Sequence, residues 1–142
     1  MLRGEFPSAG AQSPETLRAA YDDYLAAAID AVGVESVAER TGLDLDTLRA
    51  IPAGETPELT LSEAAAVLAA DPDRPDADTI AAEARDILLM GMTTAVLDVE
   101  VLASVADGEL EPKEIQQKVE GRFPVTLDEY ALLHSTIEGR KR

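Results

Sequence analysis

The sequence predicts an all-α fold made of tandem helix-turn-helix-like units. Three observations support this class: apolar residues recur at helical spacing, capping motifs precede the apolar segments, and no segment alternates as a strand does. Hydrophobic residues make up 46% of the 142 residues but aromatic residues only 4%, so the core must consist mainly of small aliphatic side chains. Alanine and leucine, which dominate such a core, are strong helix formers.

Cap and stop residues divide the first half, residues 13–70, into four predicted helices. Ser13-Pro14 is typical of an N-cap followed by proline at the first helical position. Thr60 and Glu63 have the spacing of a capping box, which opens the fourth helix. The other boundaries are Gly33 after the first helix, residues 34–40 for the second, Asp44 or Asp46 as the cap of the third, and Pro52 and Gly54 at its end.

The second half, residues 79–138, repeats this plan after a polar, proline-bearing linker at residues 71–78. Residues 1–12 form an N-terminal extension and residues 139–142 a basic tail. Because 142 residues suit one compact domain, we expect the two units to share one core. The predicted helices run from Ile80 to Leu97, from a cap at Asp98 to Asp107-Gly108, from Pro112 to Gly121, and onward from a second capping box at Thr126 and Glu129.

Landmark residues recur in the same order in both halves, which predicts an internal duplication. Helix caps alone would generate some of these coincidences, so two unrelated helical units are the alternative. The matching pairs are Val34 and Val99, Ala38 and Ala103, Leu43 and Leu110, Leu48 and Ile115, Gly54 and Gly121, Pro57 and Pro124, Thr60 and Thr126, and Glu63 and Glu129.

The first unit carries an alanine in its short helix, Ala38, followed by "TGL" at residues 41–43 and "GETP" at residues 54–57. With these features it resembles the Cro-like phage-repressor helix-turn-helix family over residues 34–69. The resemblance implies that the helix at residues 45–51 enters the major groove of DNA. Base reading favours Arg, Lys, Gln or Asn, whereas this helix begins with two aspartates. A helical hairpin retained for packing is the alternative.

The matching helix of the second unit has a different surface. In "EPKEIQQKVEGR", residues 111–122, Ile115 and Val119 point inward at helical spacing. The interleaved glutamates also fit a solvated face with local ion pairs. The residues left outward are the candidate contacts to nucleic acid or to a protein partner: Lys113, Gln116, Gln117, Lys118 and Arg122.

Acidic residues outnumber basic ones by 28 to 12, which gives a net charge of −16. Only three of the cations are lysine, and alanine is abundant. Taken with segments such as "ELEPKEIQQKVEGRFPVTLDEYALLH", the chain resembles an uncharacterised haloarchaeal family of short acidic helical proteins. The resemblance implies a habitat of high salt, in which the carboxylates keep the protein solvated. Mimicry of nucleic acid is an alternative purpose for the same charge.

The sequence argues against an enzyme. It has no cysteine and one histidine, His134, which lies among apolar residues at helical spacing, so we expect it to be packed rather than to act as a base or ligand. We expect no cofactor and no metal. The longest apolar run, residues 87–97, is about half of the ~20 residues that a membrane span needs, so we expect a cytoplasmic protein.

These observations predict a non-enzymatic macromolecule-binding protein, most simply a protein-protein interaction or regulatory module that also has the option of forming a homodimer. The alternative function is a helix-turn-helix, transcription-associated DNA binder that uses residues 112–122. The sequence does not identify the protein partner.

Stability should increase with salt, because dissolved ions screen the repulsion between the carboxylates. We expect the midpoint of thermal unfolding to rise between dilute buffer and about 1 M KCl, where the Debye length is about 3 Å. Circular dichroism melts over this range measure the effect. A midpoint that stays flat or falls would mean that charge repulsion does not oppose folding.

Overall fold

The computed structural model describes residue 6, residues 9–105 and residues 110–140. Within these residues it contains eight α-helices, one short 3-10 helix at Ala9–Ala11 and no β-strand, so the all-α prediction is confirmed. The helices are α1 (Pro14–Val32), α2 (Val34–Thr41), α3 (Leu45–Ala50), α4 (Leu61–Ala69), α5 (Ala77–Ala95), α6 (Val99–Val105), α7 (Pro112–Val119) and α8 (Leu127–Gly139).

Both predicted capping boxes open helices. The hydroxyl of Thr60 accepts a hydrogen bond from the backbone N–H of Glu63, whose carboxylate accepts one from the backbone N–H of Thr60. Thr126 and Glu129 make the same two bonds at the start of α8. Of the two caps predicted for α3, Asp44 occupies the N-cap position, without a capping bond from its side chain, and Asp46 lies in the first turn of the helix.

Several predicted boundaries differ from the structure. The linker predicted at residues 71–78 overlaps α5, because the Asp76 side chain accepts a hydrogen bond from the backbone N–H of Thr79 and starts the helix at Ala77. The same helix ends at Ala95 instead of Leu97. The predicted stop at residues 107–108 and the last two residues of the basic tail lie outside the described residues.

The helices α1, α4, α5 and α8 enclose the core, in which α1 packs against α8 and α4 packs against α5. Tyr21 of α1 and Tyr130 of α8 are fully buried, and their rings meet edge to face with centroids 5.7 Å apart. The Tyr130 hydroxyl donates to the carbonyl of Ala84 in α5. Leucine, isoleucine, valine and alanine fill the rest of the core, as the composition predicts.

A pair of reciprocal hydrogen bonds joins the segments that precede α4 and α8. The backbone N–H of Leu61 donates to the carbonyl of Val125, and the backbone N–H of Leu127 donates to the carbonyl of Leu59, each over 2.8 Å. This is an isolated antiparallel bridge. Because each segment gives and accepts one bond, the two segments are related locally by a twofold rotation.

The two halves also match in the way their helices pack. The helices α1 and α5 are both 19 residues long, and α1 packs on α8 just as α5 packs on α4. This common plan is what the predicted duplication requires, although a helix-turn-helix character and a common ancestor of the halves stay predictions. Buried positions repeat along α1 and α5 at one constant separation: Leu17 and Ile80, Arg18 and Ala81, Tyr21 and Ala84, Leu25 and Leu88, Ala28 and Gly91, and Ile29 and Met92.

The halves differ where the long helix turns into the short one. In the first half a single residue, Gly33, separates α1 from α2, with φ of 97°. In the second half three residues, Val96, Leu97 and Asp98, separate α5 from α6. Val96 is in the left-handed conformation, with φ of 56° and ψ of 49°, and it is 87% exposed. A β-branched residue is rare in this conformation, so the turn holds local strain.

Arg18 is buried in α1 and ties three segments together. Its Nε donates to Asp22 Oδ1 over 3.2 Å, its Nη1 to Asp128 Oδ1 of α8 over 2.9 Å, and its Nη2 to the carbonyl of Pro57. The second oxygen of Asp22 is buried without a hydrogen-bond partner among the described residues. Burial raises the pKa of Asp22, because desolvation of the carboxylate outweighs the attraction of Arg18.

Val96→Gly should stabilise the protein. The left-handed conformation costs an L-residue about 1–2 kcal/mol. Glycine avoids this cost, but its greater freedom in the unfolded chain offsets about 0.5–1 kcal/mol of the gain. We therefore expect the free energy of unfolding to rise by about 0.5–1 kcal/mol in urea titrations. The reverse exchange, Gly33→Val, should destabilise, because the backbone there has φ of 97°. Equal effects of the two exchanges would contradict this account.

Arg18→Met should destabilise more than Asp22→Asn. Loss of Arg18 leaves the Asp22 carboxylate buried without a cation, at a cost of about 3–5 kcal/mol, whereas Asp22→Asn leaves Arg18 bonded to Asp128 and Pro57. Burial raises the pKa of Asp22, and Arg18→Met removes the attraction that opposes this rise, so protonation of Asp22 relieves the buried charge more readily in the variant. Urea unfolding should therefore show a smaller deficit for Arg18→Met at about pH 5 than at pH 7, and a deficit independent of pH would contradict the assignment.

Candidate functional site

The predicted contact residues lie on α7 and in the turn that follows it. Ile115 and Val119 are buried, as their spacing predicts, and they anchor α7 on the core. The face opposite to them is the predicted binding surface. Its five residues differ in exposure: Lys113, Gln116 and Arg122 are exposed, whereas Gln117 and Lys118 are half-buried.

Lys118 is engaged within the protein. Its Nζ hydrogen bonds to the carboxylate of Glu129 and lies 3.9 Å from Glu114 Oε2, and only 15% of its side chain is exposed. Glu129 is also the acidic member of the capping box of α8. Lys118 thus fastens α7 to the start of α8, and a phosphate group would have to compete with two carboxylates for it.

Two other predicted contacts share one carboxylate. Arg122 Nη2 lies 2.8 Å from Glu120 Oε1, and Gln116 Nε2 donates to Glu120 Oε2 over 3.4 Å. Lys113 has no ion pair among the described residues and keeps its charge unmatched. The cationic surface predicted at residues 112–122 is therefore largely neutralised by glutamates of the same segment and by Glu129.

A small pocket of about 280 Å³ brings Lys118 and Arg122 together with Arg85 of α5. Gly121 lies directly against Arg85, since a Cβ at position 121 would be 2.9 Å from Arg85 Nε. Phe123, which is 53% exposed, also lines the pocket. Sequence reasoning missed Arg85, because no local motif connects this arginine to α7 and only the packing of α5 on α7 brings them together.

The strongest exposed apolar surface lies elsewhere, at the junction of α5 and α6. Among the described residues, four of the five large hydrophobic side chains that are exposed belong to it, and the fifth is Phe123. We call this surface the α5–α6 corner; it consists of Leu89, Met90, Val96 and Val101.

The polar groups at the end of α5 are satisfied by their own helix. The hydroxyl of Thr93 donates to the carbonyl of Leu89 over 3.2 Å, and that of Thr94 to the carbonyl of Met90 over 3.0 Å. These bonds occupy the hydroxyl protons locally. No charged residue occurs between residues 87 and 97, although 28% of the chain is charged. The corner therefore presents an apolar surface that is unusual for this chain.

The corresponding place in the first half is a cleft of about 580 Å³ between α1, α2 and α3. Small residues create it, because alanine and glycine stand where the second half has larger side chains. Arg49 reaches its edge from α3 and has no ion-pair partner among the described residues. We call it the α1–α3 cleft; its walls include Ala26, Ala27, Asp30, Gly33, Arg49 and Pro52.

A model of a protein family of unknown function, DUF5791, matches residues 17–140. The chain belongs to the DUF5791 family. The matched range contains residues 112–122, the α5–α6 corner and the α1–α3 cleft, so all three surfaces of this DUF5791 protein lie within the part that defines the family. No curated protein and no solved structure matches the chain.

The single histidine of this DUF5791 protein belongs to the core. His134 is 4% exposed, and its Nδ1 lies 2.5 Å from the hydroxyl oxygen of Tyr21. The two rings are nearly parallel, with centroids 6.1 Å apart. Burial raises the pKa of the Tyr21 hydroxyl far above its ordinary value. The prediction of a packed histidine is confirmed, and its contact with Tyr21 links α8 to α1.

Two further features of the DUF5791 chain concern metals and membranes. In its described part, no group of three or more His, Cys, Asp or Glu side chains is placed to hold a metal ion. Over the same residues no single helix has the length and apolar composition for crossing a membrane; α5 and α6 meet these two criteria only as a pair, and that pair is bent by 94°.

Proposed function

We propose that this protein is a non-enzymatic binding module that recognises other proteins and serves in interaction or regulation. The observation that carries the proposal is the α5–α6 corner. Exposed apolar side chains that cluster, rather than occur singly, are typical of protein-protein contact surfaces. Three of its four members, Leu89, Met90 and Val96, lie within residues 87–97, a stretch without any charged residue in a chain that is 28% charged.

Val96 gives the proposal its second support. A valine that is 87% exposed gains little from burial in the free protein, and its left-handed backbone adds strain. Gly33, at the matching turn of the first half, shows the residue that relieves such strain. Strained residues persist where they serve a function, and an apolar side chain held out from the surface suits insertion into a partner.

DNA binding by residues 112–122 is the second candidate, because Lys113 is exposed and unmatched. The contacts of α7 favour protein binding over it. Lys118 and Arg122 already pair with Glu129 and Glu120, and removal of these partners would be part of the cost of binding phosphate. The Cro-like role of α3 has less support, since its six residues begin after Asp44 and include Asp46, and carboxylates repel phosphates.

We further propose that the protein works at high salt, in a salt-accumulating archaeon. Its net charge of −16 would then serve solvation and leave the choice of partner to the apolar corner. Apolar contacts persist and strengthen in salting-out ions, whereas a protein that contacts five phosphates loses roughly four to five decades of affinity over a tenfold rise in salt. An apolar binding surface is therefore the one that suits this environment.

The test is a selection of random peptides, displayed on phage, against the immobilised full chain in about 1 M KCl, where charge attraction is screened. We expect enriched peptides with aliphatic or aromatic anchors that bind Val96→Gly weakly and bind Phe123→Ser normally. Phe123→Ser is the matched control, because it removes an exposed hydrophobic side chain outside the corner. Peptides that bind both variants alike, or no enrichment, would contradict the proposal.

A DNA-binding measurement on the full chain and its variants tests the alternative function. Fluorescence anisotropy with random duplex DNA at about 0.1 M salt, where the phosphate attraction is strong, should detect no binding. Measurable binding that Gln117→Ala weakens on one preferred site, and that Lys118→Ala weakens on all sequences, would support the DNA alternative instead. In that case Lys118→Ala would also lower the salt slope by about one unit.

A further inference from the structure

The α5–α6 corner and the α1–α3 cleft occupy matching positions in the two halves of the chain. Along α1 and α5 the constant separation of buried positions pairs Ala26 with Leu89 and Ala27 with Met90. The same separation pairs Gly33 with Val96, which are the C-cap residues of α1 and α5. Leu89, Met90 and Val96 of the corner thus each have a smaller counterpart in the cleft.

The difference in size makes the two surfaces complementary in shape. The cleft of about 580 Å³ is lined in part by the small residues Ala26, Ala27 and Gly33, and the corner exposes larger aliphatic side chains. The two surfaces belong to opposite halves of the same molecule. A corner can therefore enter a cleft only by contact between two copies of the chain.

Charge at the rims is complementary as well. The corner is flanked by Asp98 and Glu100, both exposed, and residues 86–105 contain no cation. The cleft has one carboxylate, Asp30, and the cation Arg49, which has no ion-pair partner among the described residues. An acidic rim placed over the cleft would give Arg49 a partner.

We infer that the corner of one copy binds the cleft of a second copy, with Val96 inserted against Gly33 and Ala27. The inference rests on the proposed function, since it names a second chain as the partner of the corner. Two copies that each carry −16 repel at most points of contact. The uncharged end of α5 meeting a cleft that contains a cation avoids this repulsion.

Each contact joins two different surfaces, and a dimer with twofold symmetry makes this contact twice, so its whole interface is isologous. A pair of copies closes into a dimer when both corners fill both clefts. Each such dimer holds two equivalent contacts, and a variant that removes one surface from every copy removes both. A mixture of two complementary variants keeps one contact intact.

Sedimentation velocity on the full chain in about 1 M KCl, where repulsion between copies is screened, tests the inference with two variants. Val96→Gly removes the anchor of the corner and relieves strain in its turn, so the fold is kept. Ala27→Met fills the cleft from an exposed position of α1. We expect the wild type to associate reversibly and each variant alone to associate at least about tenfold more weakly, the effect of losing one buried aliphatic side chain.

An equal mixture of the two variants should recover part of the association, because the corner of Ala27→Met fits the cleft of Val96→Gly. Arg49→Glu should weaken wild-type association, and Phe123→Ser should leave it unchanged. A monomeric wild type, or a mixture no better than its separate components, would overturn the inference. Neither result touches the proposed function, which the peptide selection decides through the same Val96→Gly variant.

Discussion

The two hydrogen bonds between residues 59–61 and residues 125–127 set the arrangement of the whole molecule. They hold the starts of α4 and α8 beside each other in an antiparallel bridge, which relates the two starts by a local twofold rotation. Each helix then presents its buried face to the long helix of the other half, so that α8 receives α1 and α4 receives α5. The cores of the two halves are therefore one core.

Local chemistry made much of the fold predictable. Thr60 and Thr126 indicate helix starts in the sequence, because a capping box involves only four consecutive residues and needs no distant partner. The same is true of Ser13. Asp76 was missed, since its linker reads as polar chain and gives no sign that one aspartate of several accepts the bond from Thr79. The early start of α5 follows from that single bond.

The candidate site was less predictable, because its character depends on contacts between distant residues. The spacing of Ile115 and Val119 correctly oriented α7. It could not reveal that Lys118 pairs with Glu129, which lies on another helix. Nor could it show that Val96 would be left-handed and exposed, since its place within the apolar run of residues 87–97 suggests a buried residue. The first feature arises from the packing of α7 beside α8, and the second belongs to the turn between α5 and α6.

Because the long helix of each half packs against the last helix of the other half, folding during synthesis on the ribosome is constrained. Helix α1 emerges early, yet its neighbour in the core is α8, and the Tyr21 contact to His134 spans most of the chain. Until α8 has been synthesised, α2 and α4 cover the buried face of α1 only in part. The N-terminal half must therefore wait in a partly open state, and its many carboxylates would keep neighbouring nascent chains apart during that interval.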